Sequence, residues 1–256
     1  MIKAIFRFAL NSIPRPLMIR ISYLVRPILA QLYKGDKFED PIDGKKYKKL
    51  LPYGYKGMQR ENALAPASLS LERHRLMWLY LRDETDFFTK ERKLLHIAPE
   101  QCFYGKFRKM KNLDYLTADL DSPIADVKMD IHNIQYDDNS FDAVFCNHVL
   151  EHVNDDKQCM RELCRVLKPG GLAIMQVPLN RNLEQTDEDP TITDPEERIK
   201  RFGQYDHVRA HGLDYPDRLK ESGFKVEAID FEEKLGTELF QRYALPKGEI
   251  LYVCSK

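Results

Sequence analysis

The chain has 256 residues, 43% of them hydrophobic, with 40 basic and 40 acidic side chains and no formal net charge. That length holds a full α/β domain plus an extension, and the balanced charge supplies no basic field, so nucleic acid is not an expected partner. The five cysteines, Cys102, Cys146, Cys159, Cys164 and Cys254, are scattered and form no C-x-x-C pair, which points to reduced thiols in a cytoplasmic setting and excludes a disulfide framework.

Residues 1–35 contain Lys3, Arg7, Arg15, Arg20, Arg26 and Lys34 and no acid. Between them lie Ile5, Phe6, Phe8, Leu10, Leu17, Ile21, Leu24, Val25, Ile28 and Leu29. The charges interrupt every apolar run well before the ~20 residues of a membrane span, and no signal peptide is legible. Two readings stand. One is a basic amphipathic segment lying on the inner face of an anionic membrane. The other is a pair of terminal helices packed on the domain, interrupted near Pro14, Pro16 and Pro27.

Residues 36–89 form a small module and a lead-in helix. The stretch 36–68 is punctuated by Pro41, Gly44, Pro52, Gly54, Gly57 and Pro66, which predicts short strands and turns. The spacing of Leu71, Trp78 and Leu81 predicts a helix over 69–82, with Ser68 or Ser70 as N-cap. Arg73, His74 and Arg75 at its start form a cationic cluster. It reads either as a site for a substrate phosphate or carboxylate, with Arg73 as the contact, or as a solvated face.

From residue 90 to 256 strands alternate with helices. Strands are expected at Lys93–Ala98, Leu113–Ala118, Val127–Met129, Phe141–Cys146, Leu172–Val177, Phe224–Phe231 and Glu249–Cys254. Met160, Leu163, Cys164 and Leu167 fall on one helical face, with Asn154 to cap the helix and Pro169-Gly170-Gly171 to stop it. A second helix ends at Gly223. Strand, helix and strand at this spacing mean right-handed parallel crossovers and a doubly wound α/β sheet. The long polar stretch 179–212 reads as a functional cover or a disordered loop.

In such a sheet ligands bind beyond the carboxyl ends of the strands. The residues there are His96–Gln101, Asp119, Asp130, Asn147–His148 and Pro178–Asn180. Asp119 stands 23 positions after His96, where an acid grips the hydroxyls of a nucleoside ribose. Asp130 ends the third strand, where a carboxylate can accept from an adenine amino group. No G-x-G-x-x-G follows any strand, which disfavours a dehydrogenase.

Residues 93–178 resemble the class I S-adenosylmethionine-dependent methyltransferases. The matching segments are Met129-Asp130-Ile131, Asn139-Ser140-Phe141-Asp142, His148-Val149-Leu150-Glu151-His152 and Arg165-Val166-Leu167-Lys168-Pro169-Gly170-Gly171. The likeness continues more loosely through Tyr205-Asp206-His207-Val208-Arg209 to the C-terminus. It implies a seven-stranded sheet with an antiparallel last strand, S-adenosylmethionine as cofactor, and methyl transfer. It also implies a cofactor site built from His96, Ala98, Glu100, Asp119, Leu120, Asp130, Ile131 and Asn147.

Two departures stand out. The family's first loop carries glycines, whereas this chain reads Leu95-His96-Ile97-Ala98-Pro99-Glu100, similar to a bacterial subgroup with His-x-Ala-Pro-Glu. A protein that keeps the fold without catalysis is therefore the alternative reading. Upstream, similar proteins carry a small zinc ribbon. Here Asp40, Asp43, Ala65 and Ser68 stand where the ribbon's cysteines would be, so the ribbon's shape is expected without its metal.

The sulfonium already activates the methyl group, so the protein chiefly positions the acceptor. An oxygen acceptor would need a base, and histidine suits that role. His207 and His148 are the candidates, with His152 and His211 behind them, and Tyr205 and Arg209 flank His207 as substrate contacts. His148 to His152 also reads H-x-x-E-H, the inverted zinc-protease pattern. No third ligand is apparent in the sequence, and no metal is expected. The acceptor is expected to be a small molecule, a glycan or, if the basic extension touches membrane, a lipid-linked compound.

Overall fold

The computed structural model describes residues 15–54 and 59–256. The portion of the basic extension over residues 1–14, with Lys3 and Arg7, lies outside the described residues.

In chain order the elements are α1 (Arg15–Leu32), β1 (Lys34–Glu39), β2 (Lys46–Tyr47), β3 (Leu51–Tyr53), β4 (Arg60–Leu64), α2 (Glu72–Asp83), β5 (Arg92–Ile97), α3 (Gln101–Phe107), β6 (Leu113–Asp119), β7 (Val127–Lys128) and β8 (Phe141–Asn147). There follow α4 (Asp156–Val166), β9 (Leu167–Gln176), β10 (Asp187–Glu188), α5 (Pro195–Phe202), β11 (Arg209–Ala210), α6 (Tyr215–Glu221), β12 (Lys225–Asp230), α7 (Phe231–Leu235), α8 (Thr237–Arg242) and β13 (Ile250–Ser255). The chain divides into two compact units. One holds the described part of residues 1–84 together with 232–247, and the other holds 85–231 and 248–256.

The second unit is the expected doubly wound α/β domain. Its seven-stranded sheet runs β12-β13-β9-β8-β5-β6-β7. β5 pairs in parallel with both β6 and β8, and β8 with β9. Only β13, the last strand, runs antiparallel to its neighbours β12 and β9. Strand order reverses between β5 and β8, so the crevice for a ligand opens beyond their carboxyl ends. Leu95, Ile97, Val144, Cys146, Ala173 and Met175 from the central strands pack with Met160, Leu163 and Leu219 from the helices into one buried core. All five cysteines are free thiols.

Three local expectations are corrected. Asp155, not Asn154, caps α4, its side chain accepting from Gln158 N. Pro169-Gly170-Gly171 does not stop that helix, which has already ended at Val166. The three residues lie inside β9, at an irregularity in its pairing with β8. Gly171 is required there, because a Cβ would fall 2.7 Å from Leu167 Cδ1 and 2.9 Å from Lys168 O. At α2 the N-cap is Leu71, and His74 Nδ1 accepts from Leu71 N at 3.1 Å.

Ser68 and Ser70 do not cap α2 because they serve the centre of the first unit. The Asp40 carboxylate is fully buried there. It accepts from Ser68 Oγ, from Ser70 Oγ at 3.1 Å and from Ile42 N at 3.0 Å. A hydrogen-bonded carboxylate thus forms the polar centre of this unit. The cationic cluster also departs from both readings given above. Arg75 is fully buried and donates to the carbonyls of Ala63, Ser70, Tyr243 and Ala244 at 2.7–3.0 Å. His74 is buried as well, so two of the three members face the interior, while Arg73 is half-buried.

Removing the Asp40 carboxylate would leave two hydroxyls and one amide buried without an acceptor, each costing about 1–3 kcal/mol. Asp40→Ala is expected to lower the stability of the first unit by about 3 kcal/mol in urea unfolding. A loss below about 1 kcal/mol would show that other groups satisfy these donors.

Candidate active site

The end of β5 builds the first wall of the crevice. His96 is fully buried, and its Nδ1 and Nε2 lie 2.9 Å from Tyr115 Oη and 2.5 Å from Glu100 Oε2. Glu100 Oε1 accepts from Asn147 Nδ2 at 3.2 Å. A carboxylate is therefore held between the ends of two adjacent strands, with a buried histidine behind it. This places His96 beneath the site rather than against a ligand, a correction to its expected role as a cofactor contact. Ala98 takes φ +49°, a left-handed conformation that favours glycine. The left-handed turn after β5 is thus made by the smallest residue that has a Cβ.

Asp119 ends β6. Its Oδ1 accepts from Asp121 N and Ser122 N, both at 2.8 Å, which fixes the carboxylate and leaves Oδ2 unengaged among the described residues. Leu120 beside it is 52% exposed, and the two residues border a shallow recess of about 300 Å³. Asp130 is held by His132, whose backbone and imidazole bonds keep its pKa below the ordinary aspartate value. Ile131 turns its side chain into the core, so only its backbone can meet a ligand.

The second wall follows β8. His148 adopts φ +54° directly after the strand, a conformation that costs energy in a non-glycine residue. Its Nδ1 faces Glu151 Oε1 at 3.3 Å. Glu151 is 2% exposed, and among the described residues its Oε2 has no hydrogen-bond partner. Burial favours the protonated acid, but the bond from His148 and the proximity of His148 and His152 outweigh it, so the pKa lies below the usual glutamate value. The residues 148–153 form turns, not the helix that the inverted-protease pattern requires.

The 179–212 stretch is organised by β10, α5 and β11, and β10 pairs with β11. It brings His207 against the loop after β8. His207 and His152 contact edge to face with ring centroids 4.8 Å apart. His207 is buried, which lowers its pKa and favours the neutral imidazole, and its Nδ1 lies 3.1 Å from Phe202 O. Tyr205 is 54% exposed.

Arg209 is not a substrate contact. It is 2% exposed, and its guanidinium donates to the carbonyls of Leu150, Val153 and Asn154 at 2.5–2.8 Å and to Glu188 Oε2 at 3.0 Å. Arg73 belongs to the first unit, where its Nε is buried. Glu151, Tyr115 and Asp156 escaped the sequence reading. Glu151 was visible only as the acid of H-x-x-E-H. The other two carry no local signal, because their partners lie 19 and 62 positions away.

Residues 105–175 match the family model of the methyltransferase domain. Among curated proteins, the 2-phytyl-1,4-naphtoquinone methyltransferase of Nostoc punctiforme is 46% identical over 50 residues, which cover 20% of this chain and 22% of that protein. The chain spans only about a fifth of the length of the curated relatives it matches, 16% and 22%. Among solved structures, an S-adenosylmethionine-dependent methyltransferase from Mesorhizobium loti is 14% identical with a TM-score of 0.42, covering 66% of this chain and 92% of that one. The [4+2]-cyclase SpnF is 15% identical with a TM-score of 0.49, covering 92% and 93%. The matched segment, residues 105–175, runs from within α3 through most of β9.

A buried histidine just after β11 couples the second unit's stability to pH. His211 is fully buried between Tyr215 and Asp156, neither ring nitrogen has a hydrogen bond, and burial lowers its pKa from 6.5 to about 4. A group with a depressed folded pKa stabilises the fold above its unfolded pKa. That contribution is lost as pH falls, because the unfolded chain binds the proton first. Stability is expected to drop by about 3 kcal/mol between pH 6.5 and 4, at 1.36 kcal/mol per pKa unit. In denaturant titrations across this range His211→Asn should flatten the slope. An unchanged slope would assign the acid sensitivity to other groups.

Proposed function

We propose that this protein is an S-adenosylmethionine-dependent methyltransferase that acts on a small-molecule, glycan or lipid-linked acceptor. The observation that carries the reading is the pair of fixed carboxylates, Glu100 and Asp119, at the carboxyl ends of neighbouring parallel strands beside the switch point. The donor set fits the cofactor. Glu100, anchored by His96 and Asn147, would take the ammonium of its methionine part. Asp119, with Oδ2 unengaged, would take the ribose hydroxyls, and Asp130 the adenine amino group. Leu120 offers apolar surface to the base. When bound, the cofactor supplies a methyl group already activated on sulfonium. On the acceptor side, His148 and His207, with exposed Tyr205, are the side chains proposed to orient the acceptor, with His148 to hold its proton.

Calorimetric titration with S-adenosylmethionine tests this reading. Micromolar binding is expected, weakened at least tenfold in Asp119→Ala and Glu100→Gln, since a charge-assisted hydrogen bond contributes about 1.5–3 kcal/mol. A folded protein that binds no cofactor would favour the alternative of a non-catalytic relative.

A lipid-linked acceptor is favoured by α1. Leu17, Ile21, Leu24, Ile28 and Leu32 recur at helical spacing, and all are exposed, Leu24 at 75%. No described helix is long and apolar enough to cross a membrane. The six cations and absence of acids in residues 1–35 complement an anionic lipid surface. The proposed partner is therefore the headgroup layer of an anionic bilayer. The quinone-like acceptor named for the Nostoc relative agrees with an apolar substrate. In co-sedimentation, vesicles rich in phosphatidylglycerol should retain the protein, and vesicles of phosphatidylcholine alone should not. The double variant Leu24→Glu, Ile28→Glu should bind at least tenfold more weakly, as burying each leucine-sized side chain is worth about 1.5–3 kcal/mol. Equal recovery with both lipids, or with both proteins, would end the membrane reading.

A further inference from the structure

We infer that Glu151, His152 and His207 form a binding site for a divalent transition-metal ion of the zinc class. The inference deepens the reading above, because the ion would stand on the acceptor side of the proposed site. One potential ligand atom from each of the three residues lies within 4.8 Å of those of the other two. Two nitrogens and one carboxylate oxygen are the donor set of open, three-ligand zinc sites, which keep a further position for water or substrate.

The tautomers support the assignment. His207 Nδ1 faces Phe202 O at 3.1 Å. His152 Nδ1 faces Asp206 O at 3.3 Å and Asp206 Oδ2 at 3.4 Å. These oxygens can only accept, so Nδ1 carries the proton in both rings and Nε2 keeps its lone pair. Metal-bound histidines are held in this way, with the second nitrogen donating to a carbonyl or carboxylate.

The second observation is independent of the histidines. Glu151 is almost wholly buried, and one oxygen of its carboxylate has no partner. An acceptor left unpaired in a buried place costs about 1–3 kcal/mol unless something satisfies it. A cation does so. Its other oxygen is already oriented by His148.

The geometry needs only a small adjustment. Two ligands ~2.1 Å from one zinc ion at a tetrahedral angle stand ~3.4 Å apart. Glu151 and His207 are fixed by burial, whereas the His152 side chain is 32% exposed and can swing toward them. The sequence concealed the site because its third ligand lies 55 positions beyond His152, in the stretch that folds back over the loop after β8.

The test uses the full chain, stripped with chelator and titrated with Zn²⁺ alone, then with Co²⁺ followed by its visible d–d absorption. One equivalent should bind, and the cobalt spectrum should show low-symmetry coordination by nitrogen. His207→Asn and His152→Gln should each weaken binding by roughly 100-fold, and Asp206→Asn by roughly 10-fold, as expected for a ligand's outer support. Asp119→Ala should bind metal as the unaltered protein does. S-adenosylmethionine titration of the same variants separates this inference from the methyltransferase reading. Metal binding without cofactor binding would uphold the site and sink the reaction. No stoichiometric binding, or binding unchanged in both histidine variants of folded protein, would overturn the site.

Discussion

The guanidinium of Arg209 is the constraint on which the wall after β8 depends. The loop after β8 leaves the sheet as turns, and its carbonyls at Leu150, Val153 and Asn154 have no strand or helix to accept from. Arg209 supplies the missing donors from a residue nearly sixty positions later. The same buried group meets Glu188 and approaches Asp156, which Arg218 grips with two bonds of 3.0 and 2.6 Å. A backbone bond from Val208 N to Glu151 O completes the stitching. Buried charges of this kind are expensive alone and acceptable only when fully paired. Their pairing therefore dictates that the 179–212 stretch closes onto the loop in one register, and that register decides which histidines meet.

On the cofactor side the corresponding constraint is backbone geometry. A glycine-rich first loop permits left-handed turns and close approach without a Cβ. This chain keeps the left-handed turn at Ala98 and adds a side-chain brace, with Tyr115, His96, Glu100 and Asn147 in a single line of hydrogen bonds. The brace runs from a neighbouring strand through a fully buried imidazole to the rim. It can hold the Glu100 carboxylate as firmly as a tighter loop would hold backbone amides. The glycine-free sequence is a change in how the wall is held, with the acid still delivered to the crevice.

Much of the architecture was legible in the sequence because each strand of the second sheet is a short apolar run bounded by polar residues. Strand ends at Asp119 and Asn147 were readable for the same reason. The missed helices α3, α5, α7 and α8 are five to eight residues long, shorter than the window over which a 3.6-residue period can be recognised. Charged residues were the harder class. Arg75, Arg209 and Asp40 look like surface residues in sequence, since such side chains are rarely buried. Each is buried because long-range partners satisfy it, and long-range pairing leaves no local pattern. The same limit explains why His207 could be suspected of a functional role while its partners Glu151 and His152 could not be assigned to it.

The distribution of polar chemistry across the crevice follows from this division. Acids stand at the ends of β5, β6 and just past β7, where they match a ligand that carries an ammonium, hydroxyls and an amino group. Histidines gather beyond β8, where His148, His152 and His207 share one buried glutamate. On the first side an imidazole also braces two of the acids, His96 at Glu100 and His132 at Asp130. Glu151 approaches all three rings of the second wall. Its burial makes the arrangement sensitive to whatever satisfies the unpaired oxygen. A positive charge there, whether an imidazolium or a metal ion, lowers the electrostatic cost of Glu151, and a neutral occupant does not.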